Sequence, residues 1–317
     1  MKLAGLRKNI FLRPAQMPHG RTTVAARIVG CTAMVILGLA TLAGDYGLAK
    51  AEDAGIASRR AAERHDFTDG EIRNGFFKVA FRAELQVGRS AERVRKFDGP
   101  VRIFIDSSQA LPKRRAGITA IVADIGRRID HLDLAIATDR REANFTVSLV
   151  ADREMAATIR ARYGRQSARR IEKSLNPQCL SGIGKDRQFR IRRAEVILPV
   201  DAGDFTFYDC AYEEILQGLG AINDDRSVPW TMFNDDVQMG FFDVFDQYLL
   251  NVLSDPRIRP GMTRDEVTKL LPEVLPAART FVASTNSSDH ARGHGRLGAS
   301  APRAWGRAIL VNRLGST

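Results

Sequence analysis

Glu213, Glu214, Gln217, Gly220 and Asn223 stand at offsets of 0, 1, 4, 7 and 10 within the stretch DCAYEEILQGLGAINDDRSVPWTMFND. A spacing of four puts Glu213 and Gln217 on one face of a helix. Gly220 lets the chain turn back, and Asn223 then points toward the same face. Met232 follows nine residues later, in a WTMFND turn. The spacing gathers three oxygen-bearing side chains on one side, with the Glu214 carboxylate next to them. The donors are a carboxylate and two amides. Amide oxygens suit Ca²⁺ or Mg²⁺ better than Zn²⁺. Without zinc, water keeps a pKa far above neutrality and Glu214 has nothing acidic to deprotonate. Neither zinc nor any other cofactor is therefore expected.

Three readings of these residues follow. In one they are a polar core: Gln217 and Asn223 bond backbone groups and each other, while Glu214 caps the turn or pairs with Arg226. In the second they line a polar pocket for a peptide. In the third Glu213, Asp224, Asp225, Asp235 and Asp236 hold a hard cation.

The offsets are those of HExxHxxGxxH with a methionine turn behind it, and the stretch resembles the zinc site of the metzincin metallopeptidases. Residues 223–233 are most similar to the matrixin version. All three ligand letters differ: Glu213, Gln217 and Asn223 stand where that motif has histidine. The resemblance implies a zincin-like upper half, with residues 189–200 as its edge strand. A longer likeness runs through CxxEExxQxLGxxND, SVPWTMFND and FDQYLLNVLSDPRIRPGM, and is similar to the domain-of-unknown-function 2927 family of Proteobacteria over roughly 70–262. Cys210, Glu213, Glu214, Gln217, Gly220, Asn223 and Asp224 carry it, with Phe233, Asn234, Asp246, Asp255, Pro260 and Gly261 further on. Membership implies an exported, often membrane-associated protein of unsettled activity.

The rest of the chain narrows the setting. Lys2, Arg7, Lys8, Arg13, Arg21 and Arg27 precede IVGCTAMVILGLATLAG, a run of residues 28–44 without a charge. A basic segment before an apolar one is the form of a secretory signal, here with cleavage after Ala51, or of an uncleaved anchor. Export would place Cys179 and Cys210 in an oxidising compartment, where a disulfide between them is the simplest expectation. The formal net charge of +11 invites a nucleic-acid reading. Its distribution excludes one: residues 102–194 hold 20 basic and 10 acidic residues, residues 195–280 hold 6 and 16, and the remaining excess sits at the ends. His290 and His294 are four apart in a Gly/Arg-rich tail, His131 ends a helix, and QCLSGIGK lacks phosphate-loop spacing. Runs such as Lys113–Arg115 read as solvated faces.

Elements must position these groups. Residues 52–66 read as a loose linker. Helices are expected over Asp69–Val87, Ala116–Leu132, Glu154–Lys173, Asp209–Leu219 and Phe241–Leu253, and from a Thr263/Glu266 capping box to about Arg279. Strands are expected at Val101–Ile105, Phe145–Val150 and within Phe189–Val200. Asn176–Asp186 reads as loop and 281–317 as a disordered tail. The fold class is α+β: a zincin-like, mixed α/β single domain over 67–280. Two functions are compatible with it. One is a non-catalytic module of the cell envelope that binds a protein or peptide, with a membrane contact through the N-terminal segment. The other is a hydrolase with altered or no metal that uses Glu214 as base.

Overall fold

The β-branched alternation in VRIFI puts Val101, Ile103 and Ile105 on one buried face of a strand, β1 (Val101–Ser107). This strand sits near the middle of the sheet in the computed structural model, which describes residues 52–81, 92–107, 111–175 and 178–297. The other strands are β2 (Leu134–Ile136), β3 (Phe145–Val150), β4 (Leu180–Lys185) and β5 (Ile191–Pro199). Their order is β2-β1-β3-β5-β4. All neighbours run parallel except the β4/β5 hairpin.

Helices cover both faces. On one side lie α3 (Pro112–Arg128) and α5 (Asp204–Gly218), whose Ile118, Ile121, Ile125, Phe207, Ile215 and Leu216 join the main core. On the other, α4 (Met155–Leu175) sets Met155, Ile159 and Ile171 against Leu180 and Ile197. A helical layer of α2 (Asp69–Phe81), α6 (Val244–Ser254) and α7 (Arg264–Leu297) completes the core. Gly75 of α2 faces the Phe245 ring of α6 closely enough that a Cβ there would lie 2.8 Å from it. The described residues form one mixed α/β domain of the α+β class.

Several elements depart from the sequence reading. Within the expected linker, residues Ala54–Ala61 form a helix, α1, capped by Asp53, whose carboxylate accepts from Gly55 N at 2.8 Å. Its single buried side chain, Ile56, packs against Gly240 and is too little apolar surface to register as periodicity. The expected loop 176–186 contains β4. Strand β5 is therefore interior, and β4 rather than 189–200 forms this edge. Gly182 and Gly184 hide the strand, yet one of them is needed: the Tyr163 hydroxyl lies where a Cβ at 182 would come within 2.5 Å. Part of the expected tail continues α7 to Leu297. Asn286 anchors it, donating to Gln247 Oε1 at 2.9 Å and accepting from Arg128 Nη1 at 2.8 Å. The N-terminal segment expected to act as signal or anchor, and residues 298–317, lie outside the described residues. Among those described, no helix is long and apolar enough to cross a membrane.

Cys179, just before β4, is bonded to Cys210 on α5, with a Cα–Cα distance of 5.9 Å. The bond ties the sheet edge to the helix bearing the polar constellation. Closing a loop of this length stabilises by about 3–4 kcal/mol in the chain-entropy account. Denaturant unfolding of Cys179→Ser/Cys210→Ser should show a loss of that order. Reductant should reproduce it in the parent protein and leave the double variant unchanged.

Candidate functional site

The site is assembled by the end of α5 and the chain that returns past it. Glu214, Gln217 and Asn223 are buried, while Glu213 is half-buried. The turn between them depends on Gly220, whose φ is +133°. A Cβ there would lie 2.1 Å from the backbone oxygen of Arg95, so backbone rather than a movable side chain forbids any other residue.

Each amide at a ligand-like position is engaged. Ser181 Oγ on β4 donates to Gln217 Oε1 at 2.6 Å, and Gln217 Nε2 donates to Asp224 Oδ1 at 2.8 Å. Asn223 Nδ2 donates to the carbonyls of Lys78 and Asp224, both at 3.0 Å, and Asn223 N donates to the Val79 carbonyl at 3.1 Å. Gln217 and Asn223 thus meet through Asp224, and Asn223 stitches the return to α2.

The carboxylates divide into two groups. Glu213 is pushed well above the ordinary carboxylate range, first by burial and then by Glu214, Asp224, Asp209 and Asp235. Tyr163, across Gly182, has a buried hydroxyl with no hydrogen-bond partner, and burial together with Glu195 and Glu214 raises its pKa. Others are spent elsewhere. Asp209 accepts from Met239 N and Gly240 N at 2.7 and 3.0 Å. Asp235 pairs with Arg226 at 3.1 Å, Asp236 approaches the same guanidinium at 3.9 Å, and Asp225 bonds Ser227. The five carboxylates proposed for a hard cation therefore do not converge. Among the described residues no group of three or more His, Cys, Asp or Glu side chains is placed to hold a metal ion.

Met232 is buried in a turn held from below by Asp246 of α6. Asp246 Oδ2 accepts from Met232 N at 2.7 Å and Oδ1 from Thr231 Oγ1 at 2.5 Å. The N-cap of α6, Asp243, is wholly buried beside it. Asp243 Oδ1 accepts from Asp246 N at 3.1 Å, and its Oδ2 receives no donor. Burial and the neighbouring Asp246 raise Asp243 well above its ordinary range. Asp246 is pushed up to about 6, chiefly by burial, against the hydrogen bonds it receives from Asp243, Thr231 and Met232. Glu63, half-buried, adds a third acid, accepting from Val244 N. Neither Asp243 nor Glu63, nor Ser181 or Tyr163, was singled out from sequence. Only the capping position of Asp243 before α6 leaves a local signal.

What the fold and site define is an α+β domain whose central helix ends in a glycine turn lined by acids and satisfied amides. Residues 69–273 match the model of a protein family of unknown function (DUF2927), and the chain belongs to that family. No curated protein and no solved structure matches it.

Two outcomes test the site. Gly220→Ala should cost more than about 3 kcal/mol of unfolding free energy, because backbone must move. The Asp243–Asp246 pair has a definite pH sign. Its folded pKa values lie above the unfolded value of about 3.9, so the folded state binds more protons in between. Its stabilisation is greatest below pH ~4 and declines as pH rises through about 6 and beyond. Asp243→Asn keeps a donor toward Asp246 and should flatten this decline in thermal unfolding profiles. Asp246→Asn faces donors with an amide N–H and should destabilise at every pH.

Proposed function

We propose that the chain is a non-catalytic binding or scaffold module built on a zincin-like framework, exported to the cell envelope and acting there on a protein or peptide partner. The observation that carries this reading is the employment of the three ligand positions. Gln217 is held by Ser181 and Asp224, Asn223 by two carbonyls, and Glu213 is pushed well above the ordinary carboxylate range by burial and the acids around it. Zinc needs several good nitrogen, sulfur or ionised oxygen donors and an open position for water. An acid whose ionisation burial opposes and two committed amides do not fit that requirement. The helix, the glycine turn and the buried Met232 turn keep the framework while its chemistry is replaced by hydrogen bonds. The charge-free segment after six basic residues supports export, by a cleaved signal or an anchor facing the periplasm.

A second reading is favoured by one feature: the adjacent carboxyls of Glu213 and Glu214, of which Glu213 is raised well above the ordinary range by burial and by Glu214. Two neighbouring acids in different protonation states can serve as an acid and a base. On that reading the protein is a hydrolase with altered or no metal, and Glu214 is its base.

Metal analysis of the dialysed full chain separates these from a zinc peptidase. No stoichiometric zinc should be retained. Combining Glu213→His, Gln217→His and Asn223→His should create zinc binding where the parent has none, because the offsets then supply three imidazoles. Stoichiometric zinc in the parent, with peptide cleavage abolished by Glu214→Gln, would overturn the non-catalytic reading. Metal-independent hydrolysis abolished by the same variant would favour the second one.

A further inference from the structure

Two concavities flank the segment Arg93–Asp98, and none of the residues at the ligand-like positions lines either. The first, of about 270 Å³, is walled by Phe97, Ile129, Leu132, Leu219, Leu250 and Leu253. That is near the lower end of small-ligand sites, roughly 300–1,000 Å³. The second, of about 570 Å³, is open and gathers the guanidinium-bearing residues Arg93, Arg187, Arg190 and Arg259. Asp98 lines both, so the two are neighbours.

The arginine cleft is unusual in how its charges are left. Arg190 is paired with Asp186 at 2.8 Å. Arg93, Arg187 and Arg259 make no ion pair within 4 Å among the described residues; Arg93 instead donates to the Gly261 carbonyl at 3.3 Å. Glu266, the other acid at the cleft, accepts from Thr263 N and Oγ1 at 2.7 and 2.8 Å, and Asp98 is exposed. Lys185, close by, is lowered by burial and by Arg95, and its ammonium lies 4.3 Å from the Phe189 ring centroid. The turn that presents Arg187 and Arg190 is held in a conformation that costs energy. Phe189 has φ +64°, a region that bulky residues rarely occupy. The Asp186 carboxylate fastens it by accepting from Gln188 N and Arg190 N at 2.9 and 3.0 Å. Arg187 and Arg190 stand on this strained turn, and Arg93 and Arg259 line the same cleft, where their charges help to lower the Glu266 carboxyl. An anionic ligand would add charge-assisted bonds to the three guanidinium groups that make no ion pair.

Next to the cleft, the apolar cavity supplies a second recognition element. Lys96 lines it, but its ammonium is committed to the carbonyls of Asp255 and Ile258 at 3.1 and 3.0 Å, and burial pushes it down to about 8. Asp133 at the same cavity is neutralised by Arg102 at 2.7 Å. The cavity therefore offers apolar walls, and the neighbouring cleft offers unpaired planar donors. We infer that the two form one site for an anionic amphiphile carrying a phosphate head, with the phosphate among Arg93, Arg187 and Arg259 and its apolar chain in the cavity. Planar guanidinium forks match the several oxygens of a phosphate better than a single carboxylate would.

Calorimetry on the full chain tests this with three probes: a short-chain monoacyl glycerophosphate below its micelle concentration, the uncharged monoacylglycerol, and inorganic phosphate. The glycerophosphate should bind saturably, and each of the others about tenfold or more weakly, as loss of charge-assisted bonds or of chain burial requires. Arg187→Gln/Arg259→Gln, both at exposed positions, should weaken glycerophosphate and phosphate alike. Leu132→Trp, at the half-exposed cavity wall, should weaken only the chain-bearing probes, with circular dichroism showing both variants folded. Phosphate binding as tightly as the glycerophosphate would leave a simple anion cleft and overturn the amphiphile. Equal binding by the arginine variant, or a titration that never saturates, would overturn the site altogether.

Discussion

A buried amide must find partners for its oxygen and its nitrogen, and Gln217 finds both at once. Its oxygen takes the Ser181 hydroxyl from the sheet edge and its nitrogen gives to Asp224 on the returning chain. The end of α5, the edge strand and the turn beyond Gly220 are thereby one unit. Leaving either end of that amide unpaired would cost on the order of 1–3 kcal/mol, so the three pieces move together or not at all. The Cys179–Cys210 bond fastens the same helix to the same edge by a covalent route. Asn223 extends the join to α2 through the Lys78 carbonyl, which brings the helical layer into the unit.

The acids show how charge is managed once burial is imposed. An isolated buried carboxylate is costly, and the protein meets that cost in two ways. Asp209, Asp246 and Asp255 receive several hydrogen bonds each. Glu213 and Asp243 are instead raised well above the ordinary carboxylate range by burial and neighbouring acids, which favours the neutral form. The two solutions meet beneath Met232, where Asp243, raised by burial, accepts from Asp246 N while the Asp246 carboxylate holds the turn. A site arranged in this way is stiff and short of free donors, which suits recognition by shape more than the stabilisation of a developing charge. The arginine cleft is its opposite: open and cationic, with Arg93, Arg187 and Arg259 in no ion pair among the described residues.

Legibility in the sequence followed the range of the physics. The strands β1, β3 and β5 were visible because alternation of β-branched residues is local. Helix α5 and its glycine turn were visible from offsets alone. Strand β4 was not, because Gly182 and Gly184 carry no pattern and the segment becomes a strand only by pairing with β5. Helix α1 was hidden for a different reason. It offers one buried residue, Ile56, and rests on contacts with Phe205 and Gly240 far along the chain. The last turns of α7 carry a tail-like composition, yet Asn286 is held by Arg128 and Gln247.

At the site the same division holds. Sequence alone determined that Glu213 and Gln217 share a helix face, that a glycine follows where the chain reverses, and that no imidazole stands at the ligand positions. Spacing along one helix and residue type are properties of neighbours. It could not determine what the amides bond. Ser181 lies 36 residues before Gln217, and Lys78 lies 145 before Asn223. Nor could it show that Asp243 and Asp246, two capping-turn acids by their letters, would be sealed beneath Met232. Those pairings were decided by sheet order and helix packing, which place distant residues within hydrogen-bond reach and remove the water that would otherwise have served them.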